Sequence, residues 1–290
     1  MNRLAALGPL VQLTKPRILL LVLITTFSGM WIGVGGAPEL SLAFYTLLGV
    51  GCAAASSSAL NNLIDRQRDA LMARTRKRAL PSGKVKPEAA LALGIMLGLA
   101  SFTVLYLKVN LQTALIALWT ICFYVLIYTL LLKPTTPAST VLGGIAGAMP
   151  PVMGLAAVGE MGWAALVLFG ILFLWQPPHF WALALFRCEE YRQAGFKILP
   201  VVEGVEKTRQ QMWLYTLLLV PVSFAPWLLD LTGNWYLATA VILNALYVRW
   251  TWQFIRAEYS HKAARRLFFY SITYLTILFI VLFADCQPVQ

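Results

Sequence analysis

The sequence predicts an all-α, polytopic membrane protein with about nine transmembrane helices. Of its 290 residues, 59% are hydrophobic and only 12% are charged, whereas about a quarter of the residues in a soluble domain carry charge. Apolar stretches of membrane-spanning length recur along the whole chain. The basic residues are concentrated in alternate connections between these stretches, which gives the orientation of the helices.

Nine apolar stretches are each close to the ~20 residues that a helix needs to cross a hydrocarbon core of about 30 Å. The connections between them are too short to hold a soluble domain. We therefore expect a single intramembrane domain over residues 1–290, with long polar loops at about 61–87 and 186–211. The predicted spans are residues 15–34, 41–60, 88–107, 111–132, 139–158, 162–185, 212–230, 235–253 and 267–284.

The basic residues predict that the N-terminus lies inside and the C-terminus outside. Cytoplasmic loops of membrane proteins collect Lys and Arg, and with this orientation every one of the 23 basic residues except Lys108 falls on the cytoplasmic side. The net charge of +11 is then a consequence of topology, and it can attract anionic lipids or substrates. We expect no nucleic-acid partner, because no segment resembles a nucleic-acid-binding module.

The first polar loop opens with a set of metal-ligand residues. Asn61, Asp65 and Asp69 recur every four residues, so on a helix they share one face and extend over about 12 Å. Carboxylate and amide oxygens suit hard divalent cations such as Mg²⁺, which keep several waters and are often shared with substrate phosphates. The spacing therefore predicts a Mg²⁺ site at this helix end.

A cationic run follows the acidic residues directly, with Arg74, Arg76, Lys77 and Arg78 close behind Asp69. Guanidinium groups can fork onto phosphate oxygens, so a metal site beside these arginines indicates a diphosphate. Lys133, at the end of the fourth predicted helix, can converge on the same group or extend towards the interface. The alternative is a solvated positive loop in which Asp and Arg only pair with each other.

The second polar loop has a similar plan. An apolar helix carries His179, and the chain then reaches Glu190 and Tyr191. If the two acid-bearing helix ends face each other, two metal-binding faces can surround one diphosphate. His179 is either an interfacial residue of an aromatic belt or a group with a metal, haem or proton-transfer role, because ionisable residues at membrane depth usually face a cavity.

Two proline pairs interrupt predicted helices. Pro150 and Pro151 follow a glycine-rich segment, and Pro177 and Pro178 precede His179. Proline has no N–H to donate and clashes with the preceding turn, so each pair is expected to break the helical hydrogen-bond ladder. In a membrane, such breaks need protein groups or cavity water to satisfy the freed carbonyls.

Together these segments resemble the UbiA-type intramembrane prenyltransferases, which are related to the quinone-biosynthetic 4-hydroxybenzoate polyprenyltransferases. The similarity is closest to the haem-farnesylating branch and covers nearly the whole chain. Its most specific elements are TKPR at 14–17, the acidic motif at 61–69 with its continuation to residue 78, the YT and KP pairs within 128–134, GGIAGAMPP, PHFWALA, EYRQAG and LPVV.

The resemblance implies a fold in which the helices surround a central cavity that opens laterally to lipid and is capped by the two catalytic loops. It implies Mg²⁺-dependent transfer of the farnesyl group of farnesyl diphosphate to a vinyl group of haem b, with water addition, giving haem O. The implied partners are haem b, farnesyl diphosphate, membrane lipid and a haem A synthase or terminal oxidase assembly. The short N-terminus without a transit-like extension favours a bacterial cytoplasmic (inner) membrane.

The resemblance also implies roles for individual residues. Glu190 stands where the family usually has Asp, and His179 stands where the quinone branch has an acidic residue. Lys15 and Arg17 are candidate partners of the haem propionates. The implied sets are catalytic Asp65, Asp69, Lys133 and His179; diphosphate-binding Arg74, Arg78 and Lys133; metal-binding Asn61, Asp65, Asp69 and Glu190; and haem-binding His179, Arg17 and Tyr191.

Two other functions fit parts of the sequence. A prenyltransferase of the same family could act on an aromatic quinone precursor, although the PHFW segment favours haem. A membrane transporter also has broken helices and intramembrane polar groups. Against a transporter, the charges here concentrate on one face of the membrane, and metal-ligand residues adjoin an arginine cluster.

Overall fold

The computed structural model describes residues 3–287, with side chains from residue 8 onward. Within this range the chain is helical and forms no β-strand, only an isolated bridge between Thr232 and Cys286. Arg3, one of the basic residues used to predict the orientation, lies outside the described side chains. The helices are α1 (Arg3–Leu13), α2 (Pro16–Val34), α3 (Leu40–Leu71), α4 (Pro87–Lys108), α5 (Leu111–Cys122), a π-helix (Phe123–Leu132), α6 (Lys133–Thr135), α7 (Ser139–Gly147), α8 (Met149–Ala157), α9 (Trp163–Leu185), α10 (Cys188–Gln193), α11 (Leu199–Val202), α12 (Gly204–Leu228), α13 (Asn234–Arg256) and α14 (His261–Ala284).

Eight helical segments in the described part of the chain are long and apolar enough to cross a membrane, which confirms an integral, multi-pass protein. The remaining predicted span, 235–253, coincides with α13, a helix of 23 residues that is long enough to span at about 1.5 Å per residue. It does not reach the apolar character of the other eight, because it carries residues such as Asn244 and Arg249. The count of nine spans and the N-in, C-out orientation stay predictions.

Two groups of helices build the bundle. The largest apolar core lies among α9, α12, α13 and α14, and a second core joins α3, α4, α5 and the π-helix. Between them, α2 packs closely on α8. A Cβ added at Gly154 would lie 2.0 Å from the Thr26 carbonyl oxygen, and one added at Gly29 would lie 2.2 Å from that of Pro151. Only glycine allows the two backbones to approach this closely.

The two proline pairs behave differently. Pro150 and Pro151 occupy the first turn of α8, where a missing N–H costs nothing, and the break from α7 occurs at Ala148 as expected. At Pro177 and Pro178 the missing N–H groups still remove hydrogen bonds from the ladder, but the helix itself does not break, because α9 continues through both residues. Both prolines are buried, and α9 packs against α7, α12 and α14, so tertiary packing holds a helix that the local sequence disfavours.

The segment after α5 is a π-helix of ten residues. This geometry is rare in proteins overall, but where it occurs it is often at a functional site. Its i→i+5 backbone pattern is visible where the Lys133 N–H donates to the Tyr128 carbonyl. The Thr129 hydroxyl also donates to the carbonyl five residues earlier, that of Tyr124, at 2.8 Å. The sequence analysis did not predict this wider turn, which places Thr129 and Lys133 beside the acidic face of α3.

Candidate active site

The three metal-ligand candidates lie on one face of α3, near its C-terminal end. Asn61, Asp65 and Asp69 have exposed fractions of only 4%, 3% and 6%. Because α3 is continuous from Leu40 to Leu71, the i, i+4 spacing sets these groups one turn apart. Carboxylates this deeply buried need compensation from cations and hydrogen bonds.

Asp65 receives that compensation on only one of its oxygens. Its Oδ2 atom forms an ion pair with the Lys133 ammonium and accepts a hydrogen bond from Asn61 Nδ2 at 2.9 Å. The same amide lies 3.3 Å from the Thr129 hydroxyl. Among the described groups, Asp65 Oδ1 is buried and has no hydrogen-bond partner, so one carboxylate oxygen remains available to a ligand.

Asp69 is paired with the cationic loop that follows α3. Arg78 Nη1 lies 2.8 Å from Asp69 Oδ2, and the Thr75 hydroxyl donates to the Asp69 carbonyl at 2.7 Å. These two bonds fold the loop back over the helix end. Arg78 therefore sits beside the acidic face, half-buried, where a guanidinium group can bind an anion.

Lys15 also enters this cluster, from the turn between α1 and α2. Its Nζ atom donates to Asn61 Oδ1 at 3.1 Å. Burial lowers the pKa of the Lys15 ammonium to about 7, and the nearby Lys133 and Arg78 cations act in the same direction, partly offset by the carboxylates of the cluster. Negative charge bound beside Lys15 would raise this pKa again. Lys15 belongs to the TKPR segment at 14–17, so the family resemblance already pointed to this residue.

The donor set fits a shared Mg²⁺ ion better than a protein cage. In the described part of the chain, no group of three or more His, Cys, Asp or Glu side chains could hold a metal. Asn61, Asp65 and Asp69 offer oxygens only, and one of them, Asp65 Oδ1, is unpartnered. Such an incomplete oxygen set suits Mg²⁺, which completes its shell with water and phosphate oxygens.

The second loop packs onto the first through Phe196. This side chain is 2% exposed, and it shares a small core with Met72. The Lys133 ammonium lies 4.9 Å from the centre of the Phe196 ring, and the Arg68 guanidinium lies 5.4 Å from it. Tyr191 contacts the same ring edge to face at 5.9 Å. Phe196 was not among the predicted site residues, although it lies between the EYRQAG and LPVV segments.

Glu190 is placed beside the cationic loop rather than in the acidic cluster. Its carboxylate pairs with Arg187 at 2.7 Å and lies 3.4 Å from the backbone N–H of Arg74. Its role as a metal ligand stays a prediction, as does that of Arg74 as a diphosphate ligand. These contacts show that the two loops meet.

His179 lies among aromatic rings on α9. It stacks on Trp175 at 4.5 Å and on Phe268 at 4.7 Å, and its Nδ1 atom is 2.7 Å from the Ser271 hydroxyl. None of its hydrogen bonds described here reaches the acidic cluster. Arg17 is exposed at the start of α2. The structure thus gathers Asn61, Asp65, Asp69, Arg78 and Lys133, and leaves His179, Tyr191 and Arg17 outside that group.

Comparison with known sequences gives relatives over nearly the full chain. A protoheme IX farnesyltransferase of Gloeobacter violaceus is 49% identical, covering 97% of this chain and 92% of its own. One of Symbiobacterium thermophilum is 46% identical, covering 95% and 93%. One of Aquifex aeolicus is 44% identical, covering 94% and 93%.

Comparison with solved structures gives the same fold. A digeranylgeranylglyceryl phosphate synthase superposes with a TM-score of 0.82 at 18% identity, covering 97% of this chain and 98% of that one. A UbiA homologue of Archaeoglobus fulgidus bound to GPP and Mg²⁺ has a TM-score of 0.64 at 18% identity, covering 94% and 99%.

The family follows from the sequence match. Residues 22–273 match the UbiA prenyltransferase family. The bundle and its acidic helix end agree with that match, and the relatives above share almost the whole length of the chain. The chain therefore belongs to the UbiA prenyltransferase family, in the branch of the protoheme IX farnesyltransferases.

Proposed function

We propose that this prenyltransferase transfers the farnesyl group of farnesyl diphosphate to a vinyl group of haem b and adds water, giving haem O and diphosphate. The relatives' activity supports this, since three of them at 44–49% identity are protoheme IX farnesyltransferases. The observation that carries it is the buried cluster of Asp65, Asp69 and Lys133 at the end of an apolar bundle. An ionic site at this depth suits a substrate with an anionic head and an apolar tail.

The bond changes balance as follows. The allylic C–O bond breaks, and its electron pair leaves with diphosphate. The vinyl group uses its π electrons to form a new C–C bond to the farnesyl carbon, which leaves positive charge on the carbon next to the porphyrin. Water adds there and loses a proton, giving a hydroxyethylfarnesyl side chain. The protein must therefore stabilise a highly charged leaving group while keeping the cation from early hydrolysis.

Asn61, Asp65 and Asp69 would hold Mg²⁺ in this site, with the unpartnered Asp65 Oδ1 as a ligand. When bound, the ion supplies positive charge that stabilises the departing diphosphate. Lys133 and Arg78 pair with these carboxylates, which offsets the cost of burying their charge.

Lys133 and Arg78 can hold the leaving group itself. Each now contacts one carboxylate, and each has further N–H donors that remain for phosphate oxygens. The Lys133 ammonium also contacts the Phe196 ring. This contact helps to fix the position of the ammonium before substrate binds. Prearranged cations of this kind cost no reorganisation when charge develops in the transition state.

The bacterial relatives support a location in a bacterial cytoplasmic membrane. We also propose that the product passes to a haem A synthase or a terminal oxidase assembly. Both belong to the proposal. The farnesyl tail and the porphyrin are both apolar, so they could reach the acidic cluster through the surrounding lipid.

A competition assay tests the proposal. Purified protein in detergent is given farnesyl diphosphate, Mg²⁺ and equal amounts of haem b and 4-hydroxybenzoate, with and without chelator, and the products are identified by mass. We expect farnesylated, hydrated haem that disappears with chelator. Prenylated 4-hydroxybenzoate with unmodified haem would instead assign the chain to the quinone branch.

A further inference from the structure

A cavity separate from the acidic cluster lies on the loop side of the bundle, between the end of α9 and the start of α14. Its volume is about 460 Å³, within the range of about 300–1,000 Å³ that is usual for small-molecule sites. Its wall combines apolar and basic side chains. The apolar ones are Leu183, Phe186, Phe268 and Phe269, and the basic ones are Arg74, Arg187, His261, Lys262 and Arg265.

Most of the positive charge of this cavity is not balanced by acidic side chains in the described part of the chain. Across residues 8–287, Arg74, Lys262 and Arg265 form no ion pair with an acidic side chain, whereas Arg187 is paired with Glu190. Like charges that converge on one concave surface repel each other and raise the local concentration of anions. The arrangement is stabilised when an anion binds among them.

The apolar floor continues from the cavity into the bundle. Phe268 contacts Phe186 edge to face at 5.9 Å and stacks on His179 at 4.7 Å. On the other side, Arg74 belongs to the loop that follows α3. A ligand in the cavity therefore has an aromatic surface leading towards the membrane interior and lies next to the loop that closes the acidic cluster.

We propose that this cavity binds the two propionate carboxylates of the porphyrin acceptor, with the edge of the macrocycle on the aromatic floor. This inference rests on the proposed function and names the site for its second substrate. In protoporphyrin IX the propionates and the vinyl groups lie on opposite halves of the ring. Carboxylates held by Lys262 and Arg265 therefore leave the vinyl edge directed away from the cavity rim, into the bundle where the farnesyl group is released.

Propionate contacts in this cavity would replace those expected from sequence at Lys15 and Arg17. Lys15 is engaged with Asn61 in the acidic cluster, where a propionate would compete with diphosphate. His261 lines the cavity with Lys262 and Arg265. The three come together because α14 begins at His261, so its first two turns present all of them to the end of α9.

An esterified haem gives a direct test, because it keeps the macrocycle and removes the carboxylate charges. The dissociation constants of haem b and of its dimethyl ester are measured by Soret absorbance titration. The proteins are the wild type, the double variant K262Q/R265Q and the control R256Q, whose guanidinium lies over Trp252 outside the cavity. We expect the wild type and R256Q to bind haem b at least about tenfold more tightly than the ester, and the double variant to lose most of that ratio.

Size-exclusion profiles and an unchanged KM for farnesyl diphosphate show that the double variant is folded. If this variant keeps the wild-type ratio, or if the wild type does not distinguish the ester, the cavity does not hold the propionates. Loss of co-purified anionic lipid from the double variant with an unchanged haem ratio would likewise overturn the proposal and assign the cavity to a lipid head group. In any of these cases, farnesylation of haem by the wild type leaves the proposed function standing. A wild-type protein that neither binds nor modifies haem would contradict both the cavity proposal and the proposed function.

Discussion

The two polar regions of this molecule handle charge in opposite ways. Around α3 and the π-helix, two buried carboxylates are each matched by a cation, Asp65 by Lys133 and Asp69 by Arg78. Around the start of α14, by contrast, Lys262 and Arg265 line a cavity and, in the described range, pair with no acid. A site with carboxylates and cations can hold a metal together with a polyanion. A site with cations and aromatic rings suits an amphipathic anion alone.

The largest expected effect comes from Asp65, which belongs to the first region only. Replacing Asp65 by Asn keeps its size and removes the charge that pairs with Lys133. We expect kcat for haem farnesylation to fall by a factor of about 10² to 10³, because the variant loses the charge that pairs with Lys133 and that is proposed to hold the metal. Turnover is measured by mass analysis of haem at saturating Mg²⁺.

The matched control for this change is Asp230→Asn. Asp230 lies in the connection between α12 and α13 with φ 55°, a backbone conformation that Asn tolerates, so turnover should stay near the wild-type value. Wild-type turnover in the Asp65 variant would contradict the metal assignment.

A smaller effect is expected at Lys133, and it should be specific to one substrate. Lys133→Gln removes the charged donor that we propose for diphosphate, so the KM for farnesyl diphosphate should rise about 10- to 100-fold while the KM for haem stays unchanged. Lys108→Gln serves as the control, because Lys108 contacts the ring of Tyr45, which lies near the N-terminal end of α3, opposite the end that carries the acidic face. An equal rise in both KM values for K133Q would show that Lys133 supports the structure and not one substrate.

The π-helix allows a finer test of the first region. Thr129→Val keeps the shape of the side chain and removes the hydroxyl that bonds the Tyr124 carbonyl and lies next to Asn61. We expect kcat to fall about two- to tenfold, the value of one hydrogen bond. Thr216→Val, on α12, is the control, because the Thr216 hydroxyl bonds only the Met212 carbonyl of its own helix. A similar loss in both variants would remove any special role for Thr129.

Much of the fold was predictable, because hydropathy and helix length are set by the membrane itself. The nine predicted stretches coincide with helices or pairs of helices, and the spacing of Asn61, Asp65 and Asp69 correctly predicted one shared face. A period of four residues is a local property, and α3 is long enough to make it regular.

What the sequence did not predict depends on tertiary packing. The π-helix has no local signal in FYVLIYTLLL, and α9 runs through Pro177 and Pro178 because neighbouring helices enclose it. Lys15 and Phe196 join the acidic cluster from distant parts of the chain. Lys262 and Arg265 line a cavity that forms only where the end of α9 meets the start of α14.

The division between the two regions can be tested in one kinetic comparison. KM values for farnesyl diphosphate and for haem b are determined side by side for wild type, K133Q and K262Q/R265Q, under the same Mg²⁺ and detergent conditions. We predict a crossed pattern, in which K133Q raises only the KM for farnesyl diphosphate and K262Q/R265Q raises only the KM for haem. If both variants raise the KM of the same substrate, or of both equally, the two regions do not serve separate substrates.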